Sequence, residues 1–254
     1  MLLKMNNPKQ NFFLTKNNQK IHYKFINNKS LTTIVFLHGL MSNIQSKKAK
    51  HLEKFVNKNK INLLLFEYSG HGKSSGKFTD FSIKDWINDS RSIIKKLIKK
   101  NKIVLVGSSM GAWIGVILIK YFYKRIKGYV GIASAPDFTE ELIWKKLNIF
   151  EKNNIKKNKI YKLRSNHNNF YPITKKFIVD GKKNLILNKK IKCNFPVELL
   201  HGINDSSVPW FYSLKLLKTL ISKKINLTII NDGDHSLSRT QDLKKLDLAI
   251  KNII

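Results

Sequence analysis

The sequence predicts an α/β protein with a doubly wound, mostly parallel sheet. Short apolar runs alternate with longer segments whose apolar residues recur every three or four positions, which is the pattern of strands alternating with helices. In the middle of the chain, residues 102–115 read KIVLVGSSMGAWIG, a β-branched run that passes through Gly and Ser into a long apolar segment. A strand, a sharp turn and a buried helix are expected there.

The elements before this stretch begin with a β-hairpin at 11–26, where FFLT and KIHYKFI flank a polar turn. A mostly apolar strand is expected at 31–37, and the three- and four-residue spacing of apolar side chains predicts a helix at 46–58. A buried strand at 61–68 follows, and the next helix is expected from about Ser82.

After the central stretch, a strand at 128–133 is followed by a long break in the alternation. The segment 137–194 carries its own aromatic residues, so we expect a cap insertion, with one helix at 138–150 and another after Ile173. The core pattern then resumes with a strand at 195–201, a helix at 210–221, a strand at 225–230 and a helix at 241–253. We expect one domain over residues 1–254 with this cap inserted into it.

The charge of the chain is strongly positive. The sequence has 48 Lys and Arg against 16 Asp and Glu, a formal net charge of +32. Because the lysines are spread over nearly every element and no nucleic-acid-binding motif accompanies them, we interpret the charge as compositional and expect no specific nucleic-acid partner. A basic polyanion-binding protein stays the non-enzymatic alternative.

Location and cofactors are predicted from what the sequence lacks. No run reaches about 18 uninterrupted apolar residues, so no membrane span is expected. The start, MLLKMNNPKQNFF, resembles neither a signal peptide nor a transit peptide, and we expect a cytoplasmic protein. The single cysteine, Cys193, excludes an intramolecular disulfide, and no residues have metal-ligand spacing, so neither metal nor cofactor is expected. The sequence does not predict the oligomeric state.

The central turn, Gly107-Ser108-Ser109-Met110-Gly111, has the G-x-S-x-G pattern of a nucleophile elbow. Ser109 at its apex is the candidate nucleophile, and the two glycines allow strand and helix to approach closely. A Gly/Ser-rich turn without catalytic function is the structural alternative. The Gly-rich loop at 69–76 does not fit a phosphate-binding P-loop, because no helix follows it directly.

A serine nucleophile needs a base and a carboxylate that orients it. His235 lies in a loop after a late strand and is the candidate base, and Asp205, in the loop after the preceding strand, is the candidate acid. Asp232 and Asp234 are the alternatives for the acid. Three other histidines precede glycines and are interpreted as structural, namely His38, His71 and His201. For the other three, His22, His51 and His167, the sequence indicates no partner.

The backbone N–H groups of Met110 and Leu40 are the candidate oxyanion hole. Met110 follows the serine, and Leu40 lies in the His38-Gly39 loop after an early strand, where this architecture places its second donor.

Several motifs together resemble the α/β-hydrolase superfamily. They are FLHGLMSNIQSKKAKHLEKF, FEYSGHGKSSG, DWINDSRSIIKKL, LVGSSMGAWIG, VELLHGINDSSVPW and the late DHSLS. Within the superfamily, the chain is most similar to the group of the mitochondrial palmitoyl-protein thioesterase and mycophenolic-acid acyl-glucuronide esterase and its bacterial relatives. The resemblance implies the α/β-hydrolase fold, a Ser109–Asp205–His235 triad and hydrolysis of acyl esters or thioesters.

The predicted function is hydrolysis of carboxylic esters or thioesters of apolar acyl groups through an acyl-enzyme on Ser109. The substrate would be a small molecule, a lipid-acyl compound or an acylated protein. The candidate substrate-binding residues are large side chains of the cap and of the Asp205 loop: Trp144, Phe150, Tyr171 and Trp210. An esterase for small polar esters such as acyl glucuronides, a C–C hydrolase and a peptidase are alternatives on the same triad.

Overall fold

The computed structural model describes residues 11–157, 160–164 and 170–254. Residues 1–10, on which the prediction of neither a signal peptide nor a transit peptide mostly depends, lie outside the described residues, as does His167. Within them the doubly wound α/β fold is confirmed: a sheet of eight strands runs in the order β1-β2-β4-β3-β5-β6-β10-β12. The strands are β1 Asn11–Leu14, β2 Lys20–Ile26, β3 Thr32–Leu37, β4 Asn62–Phe66, β5 Lys102–Ser108, β6 Ile126–Ile132, β7 Tyr161–Arg164, β8 Phe170–Ile173, β9 Ile191–Lys192, β10 Val197–Gly202, β11 Leu220–Ile221 and β12 Ile225–Ile230.

Along the chain, the α-helices lie between the parallel strands of this sheet, except for the last helix, which follows the final strand. They are α1 Lys47–Asn59, α2 Ile83–Leu97, α3 Met110–Phe122, α4 Ile149–Lys156, α5 Lys175–Lys183, α6 Phe211–Thr219 and α7 Thr240–Lys251. The hairpin β1–β2 is antiparallel and joins the edge through an antiparallel β2–β4 pair, whereas β4, β3, β5, β6, β10 and β12 pair in parallel. Because parallel strands share their carboxyl edge, the loops after β3, β5, β10 and β12 lie together.

Two apolar layers cover the two faces of the sheet. In β5, Ile103 and Leu105 belong to the layer that contains α2 and α3, and Val104 and Val106 belong to the layer that contains α1 and α7. This alternation follows from the two-residue period of a strand, and a strand buried on both faces is apolar throughout.

Residues 138–150 do not form the single helix that the sequence predicts. The chain forms a π-helical turn at Thr139–Ile143 and a 3₁₀ turn at Trp144–Lys146, and α4 begins only after Asn148. Asn148 ends the first unit because its side chain accepts from the Glu151 N–H at 2.9 Å, which starts a new helix. The strands β7 and β8 then form an antiparallel pair, which the sequence analysis did not predict. Every helix in the described part of the chain is too short or too polar to span a membrane.

Candidate active site

Ser109 sits at the turn between β5 and α3 in a strained backbone conformation, with φ 55° and ψ −118°. The neighbouring glycines are required by space. A Cβ at residue 107 would lie 2.5 Å from the Gly111 carbonyl oxygen, and one at Gly111 would lie 2.0 Å from that of Leu37. The turn therefore packs too tightly for side chains on either side of the serine. Non-glycine residues at positive φ concentrate at functional sites, where the surrounding structure holds them in place.

The Ser109 side chain contacts the predicted base. His235 Nε2 lies 3.1 Å from Ser109 Oγ, and His235 Nδ1 lies 2.7 Å from Asp205 Oδ2. The three residues come from the loops after β5, β10 and β12, and the serine and the histidine are 126 positions apart in the sequence. The structure thus brings together the three side chains that the sequence selected.

Asp205 is held as a buried carboxylate. Its Oδ1 accepts from the Ser207 N–H at 2.9 Å and the Val208 N–H at 2.8 Å, while Oδ2 faces His201 and His235. Burial acts to raise the pKa of Asp205, but the hydrogen bonds from His201 and His235, the charge of His235 and the Val208 N–H outweigh it. The net result is a pKa far below the ordinary range. The acid therefore stays ionised at neutral pH.

His201 is the residue that sequence reasoning missed. Its Nε2 lies 3.0 Å from Asp205 Oδ2 and 2.9 Å from the Val208 carbonyl oxygen, so this nitrogen carries a proton. Its Nδ1 then accepts from the Ser213 hydroxyl at 2.6 Å. The ring thus links the acid to β10 and α6. The four-residue spacing to Asp205 was the available signal, but the Gly after His201 favoured a structural interpretation.

The alternative acids point elsewhere. Asp232 binds Arg239 at 2.6 Å and Gln241 at 2.8 Å on the surface. Asp234 accepts from the Leu237 N–H at 2.9 Å and so shapes its own loop. Asp205 is the carboxylate positioned against His235.

The two predicted oxyanion donors lie beside the serine. A Cβ added to Gly39 would be 3.4 Å from the Ser109 Cβ, so the loop that carries Leu40 borders the nucleophile. Among the described residues, neither the Leu40 N–H nor the Met110 N–H donates to a protein acceptor. Met110 opens α3, where the helix dipole adds positive potential. An oxyanion hole, which the sequence predicts here, requires N–H donors that are not already bound to the protein.

Two buried histidines lie behind this loop. The rings of His38 and His71 are 5.2 Å apart, and both pack against Tyr68. Burial, with His71 close by, lowers the pKa of His38 to about 3, and burial lowers the pKa of His71 to about 4. Within the part of the chain that the structure describes, the Nε2 atoms of both rings have no hydrogen-bond partner. Both imidazoles are therefore neutral at pH 7, as a structural role requires.

Two further described histidines contact carboxylates other than Asp205, and the cysteine is buried. His22 contacts Glu67 at 2.9 Å and His51 contacts Asp247 at 2.7 Å, partners that no sequence signal indicated. Cys193 is buried, and burial raises the pKa of its thiol to about 12. Over the described ranges, no group of three or more His, Cys, Asp or Glu side chains could hold a metal ion.

A cavity of about 1100 Å³ opens over Ser109 and His235. The segment 137–194 contributes six apolar or aromatic side chains to its lining, and further apolar residues come from the loops around Ser109. The six are Phe138, Leu142, Ile143, Leu163, Phe170 and Tyr171. The polar wall of the cavity comes from the loop before α1 and the His235 loop. Of the lining residues that the structure describes, none is Asp or Glu.

Of the four predicted substrate-binding residues, Tyr171 lines this cavity and the other three do not. Phe150 lies on the outer side of α4 and is 71% exposed, Trp210 is 38% exposed, and Trp144 packs half-buried against the core. Trp144 and Phe150 were expected on one face of a single helix, but the break at Asn148 turns the chain, so their side chains point in different directions. Trp210 lies outside that segment, at the start of α6.

Comparisons with known proteins find similarity to a serine hydrolase family and to a thioesterase. A family model described as serine aminopeptidase, S33, matches residues 28–176. The mitochondrial palmitoyl-protein thioesterase ABHD10 of Rattus norvegicus is 30% identical over 223 residues, which cover 87% of this chain and 74% of that protein.

Solved structures superpose over almost the full length. A hydrolase from Agrobacterium vitis matches with a TM-score of 0.91 and 30% identity, covering 97% of this chain and 98% of that one. The alpha/beta hydrolase domain-containing protein 10 from mouse matches with a TM-score of 0.87 and 26% identity, covering 96% and 97%. These similarities confirm the predicted resemblance.

Proposed function

The chain belongs to the family described as serine aminopeptidase, S33, and has the α/β-hydrolase fold; within it, we propose a carboxylic ester or thioester hydrolase with Ser109 as nucleophile. The observation that carries the proposal is the position of His235, whose two ring nitrogens lie 3.1 Å from Ser109 Oγ and 2.7 Å from Asp205 Oδ2. A base between a hydroxyl and a buried carboxylate is the arrangement that activates serine.

The first half of the reaction forms the acyl-enzyme. Since Asp205 is ionised, His235 carries its proton on Nδ1 and offers Nε2 to the Ser109 hydroxyl. Ser109 Oγ attacks the carbonyl carbon as the proton passes to Nε2, and the N–H groups of Leu40 and Met110 bind the oxyanion. The C–O or C–S bond to the leaving group then breaks as His235 returns the proton to it.

The second half uses water in place of the alcohol or thiol. His235 takes a proton from water, the hydroxide oxygen bonds to the acyl carbon, and the Ser109–acyl bond breaks with return of the proton to Oγ. Every group required is a side chain or backbone amide of this chain, so the reaction needs neither metal nor cofactor.

The proposed substrates carry apolar acyl groups. We propose that residues 137–194 form a cap, because six of their side chains contribute apolar surface to the cavity lining. Burying methylenes against such a surface stabilises the bound substrate in proportion to chain length. The name of the rat relative, a palmitoyl-protein thioesterase, supports the same substrate class. A lipid-acyl ester or thioester and an acylated protein both fit it.

An aminopeptidase activity, as in the family's name, is disfavoured by the same lining. Recognition of a free α-ammonium group requires acceptors, most often carboxylates. The lining residues that are described include Lys48, Lys146 and Arg164 but no carboxylate, so an ammonium group would meet only like charge.

Fluorophosphonate labelling tests the proposal. The wild-type protein is expected to be labelled and to hydrolyse p-nitrophenyl esters, whereas Ser109→Ala loses the label and at least ~10³-fold of kcat, because the covalent route is removed. Ser108→Ala is the matched control, since Ser108 lines the same cavity but lies at the end of β5. A label retained by Ser109→Ala and lost from Ser108→Ala would show that the nucleophile is wrongly assigned.

A further inference from the structure

One lysine in the cavity over Ser109 is buried. Lys48, in the first turn of α1, is 8% exposed and lines the cavity. Its Nζ donates to the Ser236 carbonyl oxygen and, at 3.3 Å, to the Ser238 hydroxyl. An ammonium group has three protons, so one N–H donor of Lys48 has no acceptor among the residues that the structure describes.

The charge of Lys48 has no direct counter-ion. Its two acceptors are neutral oxygens, and among the described residues no carboxylate lies within ion-pair distance of Nζ. Burial lowers the pKa of Lys48 to about 8, although Asp234 and Asp242 act at longer range to raise it, so the ammonium form predominates at pH 7. Buried charges in proteins are ordinarily paired, and this one is only solvated by neutral groups.

The position of Lys48 is unfavourable in a second way. It lies in the first turn of a helix, where the N–H groups already give a positive potential, and no acidic residue of that turn offsets it. A sequence that departs from a local preference without gaining stability usually does so at a functional position.

Lys48 contacts the loop of the candidate base, toward which the leaving group would depart. The leaving group must depart on the imidazole side, because it receives its proton from His235. Lys48 donates to the carbonyl of Ser236, the residue after His235, so its ammonium group contacts the loop that carries the imidazole. The loop before α1 adds the polar side chains of Ser42, Asn43, Gln45 and Ser46 to the cavity lining, together with Leu40 and Met41.

Resting on the proposed function, we propose that Lys48 binds a negative charge on the leaving group, so that the preferred substrates are acyl esters or thioesters of an alcohol or thiol that carries a carboxylate or phosphate. The anion supplies the counter-ion that the buried ammonium lacks, and it uses the remaining N–H donor. The apolar acyl chain lies toward the cap and the anionic leaving group toward α1. Lys146 and Arg164 also line the cavity but are exposed, and screening by solvent weakens their contribution.

Two matched substrates separate this role from anchoring of the His235 loop. They are the hexanoyl esters of 4-hydroxybenzoate, which is anionic, and of 4-hydroxybenzamide, which is neutral. The measured quantity is kcat/KM at pH 7 and about 0.15 M salt, where distant lysines are screened. The quotient of the two values in a variant, divided by that in the wild type, cancels the intrinsic reactivities of the esters.

The expected result for Lys48→Met is a loss that is about tenfold or more larger on the anionic ester than on the neutral one, as removal of a charge-assisted hydrogen bond predicts. Lys48→Arg keeps the charge and is expected to retain most of the discrimination. Lys47→Met, an exposed neighbour on the same helix, is the control expected to leave the quotient unchanged.

Equal losses on both esters would overturn the inference, because they would show that Lys48 only anchors the Ser236 carbonyl. No loss on either ester would overturn it as well. If neither ester is hydrolysed by the wild type, the proposed function falls and the inference with it, whereas turnover without discrimination overturns the inference alone.

Discussion

Two regions meet at Ser109 and are built in different ways. The triad edge, formed by the loops after β3, β5, β10 and β12, lies on the carboxyl ends of parallel strands, and Asp205 there has hydrogen-bond partners on both carboxylate oxygens. The second region is the proposed cap segment, residues 137–194, whose described parts form short turns, short helices and short strands, with Phe150 and Phe170 exposed at the surface.

The difference teaches where chemistry and selectivity are encoded. Side chains fixed by the sheet can hold distances of about 3 Å, which proton transfer demands. An apolar wall needs only the right volume and polarity, so short and exposed elements suffice for it. Changes at the triad edge should therefore reduce turnover of every substrate, and changes in the cap segment should alter the ratio between substrates.

The largest expected effect at the triad edge, beyond loss of the nucleophile, is that of Asp205→Asn. An amide in this place no longer stabilises the imidazolium or fixes the tautomer of His235, so kcat should fall by about 10³-fold or more on short and long acyl esters alike. Steady-state kinetics with a folded variant, checked by circular dichroism, measure it. Asp232→Asn is the matched control on the surface. Near-normal turnover of Asp205→Asn together with an inactive Asp234→Asn would show that the acid is misplaced.

A second effect is the pH dependence of stability that comes from the buried histidine pair, His38 and His71. The pKa of His71 is lowered from the ordinary 6.5 to about 4, so below pH 6.5 the unfolded chain binds a proton that the folded protein does not. The free energy of unfolding should thus fall as the pH falls from 6.5 to 4. His71→Phe, which fits among Tyr68, Phe78 and Trp86, removes that titration and should lose on the order of 2 to 3 kcal/mol less over this range. Urea unfolding at pH 7, 5.5 and 4 measures it, and parallel pH profiles would contradict it.

The smallest expected effect is the one in the cap segment. With p-nitrophenyl esters below micellar concentrations, kcat/KM should rise from acetyl to octanoyl, by up to ~0.8 kcal/mol per buried methylene. Leu142→Ala should lower the octanoyl value a few-fold and the acetyl value less, because Leu142 is in the wall. Ile149→Ala is the control, since Ile149 is in the same segment but 79% exposed. A flat chain-length profile in the wild type would remove the apolar acyl preference and favour a small polar ester.

The triad edge could be predicted from the sequence because its constraints are local. A turn in which Gly107 and Gly111 leave no room for a Cβ forces glycine at fixed spacing around Ser109. Asp205 and His235 follow strands whose apolar runs are unambiguous. His201 escaped because its role depends on Asp205 and Ser213, which a strand-to-helix connection brings together in space.

The cap segment was predicted less well, because its residues face two environments within a few positions. The spacing of Phe138 to Phe150 predicts one helix, and the signal that divides it, Asn148 followed by Glu151, is a capping box that the apolar spacing masked. Trp144 and Phe150 were then expected in the cavity wall. Which side of a short element is covered depends on the core beneath it, and no period in the sequence carries that information.

The backbone at Ser109 has a consequence for how such a protein changes over evolutionary time. A serine at φ 55° and ψ −118° lies in a region that a non-glycine residue occupies at a penalty of about 1–3 kcal/mol. A glycine there would relieve that penalty and remove the nucleophile in the same step. Under the proposed function, an inactive protein with a more stable fold is therefore one amino-acid substitution away, and only selection for turnover opposes it.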